Sequence, residues 1–426
     1  MSAFRHELGR LALVLLLAFA ARAAFVIAWH ATHEPQHFEF PDSASYWDLG
    51  RDLATGAPYE FGSTDRRVHR APGYPLMLAP LFVALGPDAS PAAARWLGAI
   101  VGTLTVGAVY WLARLMFDRR VALLAAIVVA LYPETIATSV LPLSDGPFCL
   151  WMVLQLVLWR WAVDSTPAKS AALAAFAGVV GGIATLTRPS WLLFSPLFAM
   201  AWWFGARFSR RSVLLAVAMM AGMVATMLPW WGRNYHITRR FVPTVLWVGP
   251  SLYDGLNPAA DGSSNMDFVR RFEAQLRAAD AANPLAVDEP PFEFRFDRLM
   301  RDESLAWAKA HPGRALQLAG VKLRRMWNIW PNEPAFRSEW VRAAIAGTYV
   351  PLVLLAIYGG WQIRNRRLDL LLLASPVVYF SLLHAVFIGS LRYRQPALLL
   401  LAILAAAAID ALLTRFGKPM PADRTT

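Results

Sequence analysis

Charge is scarce in this chain. Asp, Glu, Lys and Arg make up 16% of its 426 residues, against about 25% in a soluble domain. With 57% hydrophobic residues and repeated apolar runs of membrane-spanning length, that shortage excludes an ordinary soluble enzyme. Cysteine is almost missing as well. Cys149 is the single one and lies inside an apolar run, so no intramolecular disulfide can form. There is no G-x-G-x-x-G fingerprint, no Walker A sequence and no C-x-x-C, which removes the usual dinucleotide, P-loop and thiol-redox readings. The net charge of +12 would suggest nucleic acid in a soluble protein. Here the basic residues cluster in short gaps between apolar runs, where they orient helices. Most of the 18 tryptophans lie in or beside those runs, where they anchor a membrane protein rather than stack on bases. No nucleic-acid partner is expected.

What is present is a succession of apolar runs. They predict about ten transmembrane helices, at 11–29, 92–117, 121–141, 147–163, 171–186, 191–204, 213–231, 343–361, 368–388 and 397–413. The third run is interrupted at Tyr132-Pro133. The first is too good a span, with too good a charge pattern, to be read as a cleaved signal. With the N-terminus in the cytoplasm, every even connection is basic: Arg119/Arg120, Lys169, Arg207/Arg210/Arg211 and Arg364/Arg366/Arg367. This is the positive-inside pattern of a plasma (inner) membrane protein with both termini cytoplasmic. The fold class is therefore an all-α integral membrane protein, one domain over 1–413 with a short cytoplasmic tail at 414–426.

Two long polar segments then face outward, 30–90 and 232–342. The first carries Asp42, Tyr46 and Asp48, then the basic cluster Arg66, Arg67, His69 and Arg70. It returns to the membrane through a short apolar stretch, 72–85, which suits a buried or interfacial helix better than a span. The second reads as helical. Phe268, Phe272 and Leu276 recur every four residues, a helix is expected over 294–309, and Pro312 ends or restarts it. Leu316, Gly320, Leu323 and Trp327 form an apolar stripe on a surface helix, with Lys322 and Arg325 on its flank. The polar, proline-bounded stretch 262–291 is expected to be mobile.

Several residues carry possible chemistry, each with a plainer alternative. Asp42 either caps the helix that Pro41-Asp42-Ser43 begins or shares a face with Tyr46 at a reaction site. Glu134 and Asp145 flank a broken helix start and are either caps or carboxylates of one cleft with Asp42. Arg188, Arg233, Arg392 and Arg394 sit at outward boundaries, as do Lys322 and Arg325. A single arginine there could snorkel, whereas several from different spans fit a phosphorylated lipid. Asn234 adds a neutral donor, and His384 near the end of its span either serves the same cleft or packs helices. HEPQH, 33–37, formally matches the zinc-protease pattern, but Pro35 falls inside it and no third ligand follows. His33, His37 and Asp42 are the weak candidates for a divalent metal, which no strong ligand motif demands.

The stretches FPDSASYWDLGRDL, HRAPGYPLML, LYPETIATSVLPLSDGPF, ATLTRPSW, LPWWGRNYHITRRFVP and RYRQPALLLLAIL resemble polytopic glycosyltransferases that use polyprenyl-phosphate sugars. These are the enzymes of the C-type fold, among them protein O-mannosyltransferases and lipid A aminoarabinose transferases. Relatives often carry a further soluble domain after the spans, which is expected to be absent here. The resemblance implies transfer of a sugar, with inversion, from a polyprenyl monophosphate to a lipid, glycan or protein acceptor at the extracytoplasmic face. It implies Asp42 as the base, assisted by Glu134 or Asp145. Tyr46, Arg70, Tyr74, Arg188, Arg233, Asn234, Lys322, Arg325, His384, Arg392 and Arg394 would bind substrate. A polymerase or ligase using a diphosphate-linked glycan, or a lipid-linked sugar transporter, are the alternatives.

Overall fold

The computed structural model describes residues 2–34, 36–282, 289–330 and 338–416. Pro35, residues 283–288 of the stretch expected to be mobile, residues 331–337 and the tail beyond Phe416 lie outside the described residues. Among those described, every regular element is helical. The helices are α1 (Ser2–Thr32), α2 (Pro41–Thr55), α3 (Gly73–Leu85), α4 (Ala92–Met116), α5 (Arg119–Leu131), α6 (Pro133–Val140), α7 (Asp145–Asp164), α8 (Pro167–Thr187) and α9 (Phe194–Gly205). They continue with α10 (Arg210–Thr238), α11 (Val248–Gly255), α12 (Phe268–Ala282), α13 (Phe292–Ala310), α14 (Pro312–Met326), α15 (Glu339–Gln362), α16 (Arg367–Val386) and α17 (Gln395–Phe416).

Eight of these are long and apolar enough to cross a membrane: α1, α4, α7, α8, α10, α15, α16 and α17. The chain is a multi-pass membrane protein. The expected third span is a bent pair, α5 and α6, turned by 60°. Pro133 lacks an N–H and forces Tyr132 into an extended conformation. The Thr135 hydroxyl then serves the carbonyls of Val129 and Tyr132, both at 2.8 Å. The expected sixth span is shorter than a bilayer core, since α9 has 12 residues and is about 18 Å long. It still returns the chain across the bundle. Trp191 packs against Phe148 at one end of α7, and Trp202 against Trp159 towards the other.

Small residues let the spans approach closely. A side chain on Gly178 of α8 would run into the Met219 carbonyl of α10, and one on Gly222 of α10 into the Ala175 carbonyl of α8. The pair is thus interlocked from both sides. At one end of the bundle, Glu7 accepts from Arg114 at 3.0 Å, Arg120 meets Asp410 at 3.0 Å, and Arg211 donates to the Ser165 carbonyl at 2.6 Å. The opposite end, where α7 and α17 begin, carries both long polar segments.

In the first polar segment α2 packs on α3, and Trp47 lies 4.3 Å from Phe82. Half of the stretch expected to be mobile is helix α12, tied by a two-pronged Arg295–Asp280 pair at 2.5 and 2.8 Å. Its apolar face (Val269, Phe272) closes on Phe296 and Met300 of α13. In α14 the buried face is Leu318, Lys322 and Met326, while Leu316 is exposed. Lys322 therefore sits inside, not on a flank, because its amine finds the Val386 carbonyl at 2.5 Å.

Candidate active site

Phe40 is extended and Pro41 takes the first helical position, where its missing N–H costs nothing. Asp42 thus falls in the first turn of α2, and its side chain makes no capping bond. The carboxylate reaches away from its own helix instead. Oδ1 accepts from Arg70 at 2.6 Å, and Oδ2 lies 3.5 Å from the Arg392 guanidinium. One turn later, the Tyr46 hydroxyl is 3.2 Å from Ser144 Oγ. The Tyr46 ring meets Tyr74 edge-on at 5.3 Å, and the Arg70 guanidinium stands 5.2 Å from its centre. Arg70 is steadied by a second bond, to Ser45 Oγ at 3.1 Å.

The other half of the site comes from spans. Asp145 opens α7 and pairs with Arg188, which follows the last turn of α8. The second Asp145 oxygen lies 3.6 Å from Arg392 Nε. Arg392 therefore stands between Asp42 and Asp145. Behind it, Tyr393 lies under both Arg188 and Arg392, with ring distances of 5.1 and 5.0 Å, and stacks on His384 at 4.1 Å. His384 is buried, with Nδ1 on the Ile388 carbonyl at 3.0 Å.

The two acids differ in access. The Asp42 side chain is 39% exposed and the Asp145 side chain 4%. Burial alone would raise the Asp42 carboxyl, but Arg70 and Arg392 outweigh it and hold the group below its ordinary value. With three arginines around two carboxylates, the cluster has a cationic surplus beside an ionised, reachable acid. A cavity of about 300 Å³ opens at His69, next in sequence to Arg70. It is lined by Phe61, Arg66, Trp247, Glu273 and Glu293 among others. Burial first, then Arg70 and Arg66, push His69 well below its usual value, so its ring is neutral.

Asp42, Tyr46, Arg70, Tyr74, Asp145, Arg188, His384 and Arg392 are brought together. Other candidates are spent elsewhere. Glu134 takes Arg394 on both oxygens and Gln395 at 3.1 Å. Arg394 is fully buried and also donates to the Asn328 carbonyl at 2.5 Å. Both face one another rather than the cleft. Arg233 holds the Tyr59 and Arg67 carbonyls, each at 3.1 Å, and buried Asn234 reaches those of Val242 and Thr244. These two fasten backbone, as Lys322 does, and Arg325 donates to the Gly389 carbonyl at 3.3 Å.

His33 stacks on Trp29 at 4.0 Å and His37 reaches Glu39 at 3.3 Å. Among the described residues no group of three or more His, Cys, Asp or Glu side chains is arranged to hold a metal. Between Asp42 and Asp145 stands a guanidinium, where a divalent cation would need open carboxylate oxygens, so the residues do not fit one. Tyr393 and Ser144 were not singled out from sequence. Tyr393 lies between Arg392 and Arg394 in RYRQP, and alternation with two arginines was the available signal.

The sequence pattern of the family described as dolichyl-phosphate-mannose-protein mannosyltransferase matches residues 69–231. A comparison with curated protein sequences finds no match. Among solved structures, archaeal oligosaccharyltransferase AglB from Archaeoglobus fulgidus, in complex with an inhibitory peptide and a dolichol-phosphate, is similar at a TM-score of 0.60 and 15% identity over 96% of this chain. Its apo form is similar at 0.60 and 16% identity, again over 96%. This chain spans about half the length of those proteins, 50% and 51%. ArnT from Cupriavidus metallidurans bound to undecaprenyl phosphate aligns over 97% of this chain and 81% of its own, at 16% identity and a TM-score of 0.45. Fold and family pattern agree: this chain has the C-type fold of polytopic membrane glycosyltransferases, and the mannosyltransferase family pattern runs through its residues 69–231.

Proposed function

We propose that the protein transfers a sugar from a polyprenyl-monophosphate carrier to an acceptor hydroxyl at the extracytoplasmic face, with inversion at the anomeric carbon. One observation carries this reading: a partly exposed carboxylate, Asp42, sits at the membrane boundary between a guanidinium of the first polar segment and one in the turn leading into α17. A polyprenyl tail is too apolar for a soluble pocket, while a phosphosugar is too polar for lipid. A cationic cleft at the end of a helix bundle accommodates both. The dolichol-phosphate bound by AglB supports a lipid-phosphate ligand for this fold.

The geometry suggests a division of labour. Arg392 and Arg70 offer planar donor forks to the leaving phosphate, and Arg188 adds charge from behind. Asp42 takes the proton of the acceptor hydroxyl, so its carboxylate must come within about 3 Å of that oxygen. In the resting protein it is a weak base, because two arginines hold it. A donor phosphate drawing those arginines to itself raises Asp42's proton affinity, so the base is released by the substrate it acts beside. Asp145 keeps Arg188 and Arg392 in place.

The test is a screen of synthetic polyprenyl-phosphate sugars with a membrane extract as acceptor, comparing wild type with Asp42→Asn. Transfer by wild type alone is expected, with the variant still binding polyprenyl phosphate. Normal turnover by the variant would remove Asp42 from the base role. Transfer only from diphosphate-linked glycans would overturn the monophosphate donor.

A further inference from the structure

Among the described residues, four cationic side chains are less than 2% exposed: Arg22, Arg95, Lys322 and Arg394. A buried charge is costly unless its donors are matched. Three of the four are matched. Arg394 has Glu134 and the Asn328 carbonyl, and Lys322 has the Val386 carbonyl. Arg22 has Ser139 Oγ at 3.1 Å and the carbonyls of Ala18 and Ala130 at 3.0 and 3.3 Å. Arg95 differs. Its Nη2 donates to the His37 carbonyl, but Nε and Nη1 find no partner, and no described carboxylate pairs with it.

Two further polar atoms nearby are also buried without partners, Trp29 Nε1 and His30 Nε2. The Arg95 guanidinium lies 5.8 Å from the Trp29 ring centre, and His30 is close enough to feel its charge. The Arg95 and Trp29 atoms are all donors. A buried group of donors with no acceptor is matched to a missing anion.

Position narrows the source. Trp29 and His30 end α1, and Arg95 lies in the first turn of α4, so the group sits at the membrane boundary on the site end. The adjacent Trp96 is 37% exposed, and α1 is largely uncovered along its length, so bilayer lipid reaches this corner. Tyr74 separates it from the cleft. Tyr74 interacts electrostatically with Arg95 on one side and packs on Tyr46, under Arg70, on the other. The corner is thus distinct from the arginines around Asp42.

We infer that Arg95, with Trp29 and His30, forms a phosphate-binding site for a second lipid, whose headgroup sits beside the reaction cleft. The inference does not depend on the transfer reaction, and its test reads no activity.

The full-length protein is purified in a maltoside detergent free of phosphate, and its melting temperature is followed with short-chain phosphatidylglycerol or inorganic phosphate. At saturation, phosphatidylglycerol is expected to raise Tm by about 5 °C in wild type and leave Arg95→Met unmoved. Without phosphate, Arg95→Met is expected to melt no lower than wild type, because an unmatched charge has been removed. Arg22→Met, which strips matched bonds, melts lower. Trp29→Phe loses one N–H and needs about tenfold more lipid for the same shift. If inorganic phosphate acts like the lipid, the site recognises the phosphate itself. If only the lipid acts, it recognises a headgroup. No shift in wild type with either, or equal shifts in Arg95→Met, would falsify the site. So would a lower Tm for Arg95→Met without phosphate, which would make the arginine a structural latch on His37.

Discussion

Arg392 stands within salt-bridge range of two carboxylates, from residues 42 and 145. Its field favours the ionised form of Asp42. Replacing it by glutamine removes that field, so Asp42 takes up its proton at a higher pH. The acid limb of kcat/KM for Arg392→Gln is expected to move to higher pH than in wild type, beyond any loss of rate. An unmoved limb would separate Asp42 from the pH dependence of the reaction. Glu134 and Arg394 lead to a different expectation. Removing one member of a buried pair strands the other, so Glu134→Gln or Arg394→Met alone is expected to cost about 3–5 kcal/mol of stability, and the double variant much less than the sum. Additive losses in a thermal double-mutant cycle would contradict the pairing. From sequence alone these two looked much like Asp145 and Arg392, since all four are charged residues at one boundary. Sequence places a residue on a rim. It does not say which way an arginine turns when its partner lies 260 positions away.

At the scale of elements, the long spans were legible because apolar runs of bilayer length have few other uses. The bend after Tyr132 was legible because proline has one strong effect on a helix. The face of α14 was not. An apolar stripe predicts burial only when the buried partner is apolar, and here the partner is a carbonyl that prefers Lys322. The joint between the two polar segments carries a titratable group. Glu293 of α13 accepts from the Val68 N–H at 2.9 Å, and burial pushes its carboxyl up to about 7 from 4.5. Below about pH 4.5 it is protonated whether or not the joint is closed. Above about 7 it is ionised in both states, and the full cost of a buried charge opposes closure. The joint is therefore expected to weaken by about 3 kcal/mol between pH 4.5 and 7. Relative to the intrinsic base-catalysed rate, the hydrogen-exchange protection of α13 should fall over that range in wild type and stay level in Glu293→Gln. Protection that rises with pH would reverse the assignment.

For the whole molecule, orientation is the open physical variable, and the chain supplies its own clean background. Cys149 is its single cysteine and is buried, so introduced cysteines report access without further changes. Ser63→Cys, in the first polar segment, is expected to react with an impermeant maleimide added outside intact cells. Ser165→Cys, at the basic end, should react only after lysis. The reverse pattern would place the cleft in the cytoplasm. The same architecture sets an order of events during synthesis. Asp42, Arg70, Asp145 and Arg188 leave the ribosome long before Arg392, which sits in the turn leading into α17. Until α17 is inserted, the two acids lack their common neighbour, so a half-made chain lacks the reaction centre proposed above. On that proposal the enzyme is silent while nascent and becomes competent only when α17 enters the bundle.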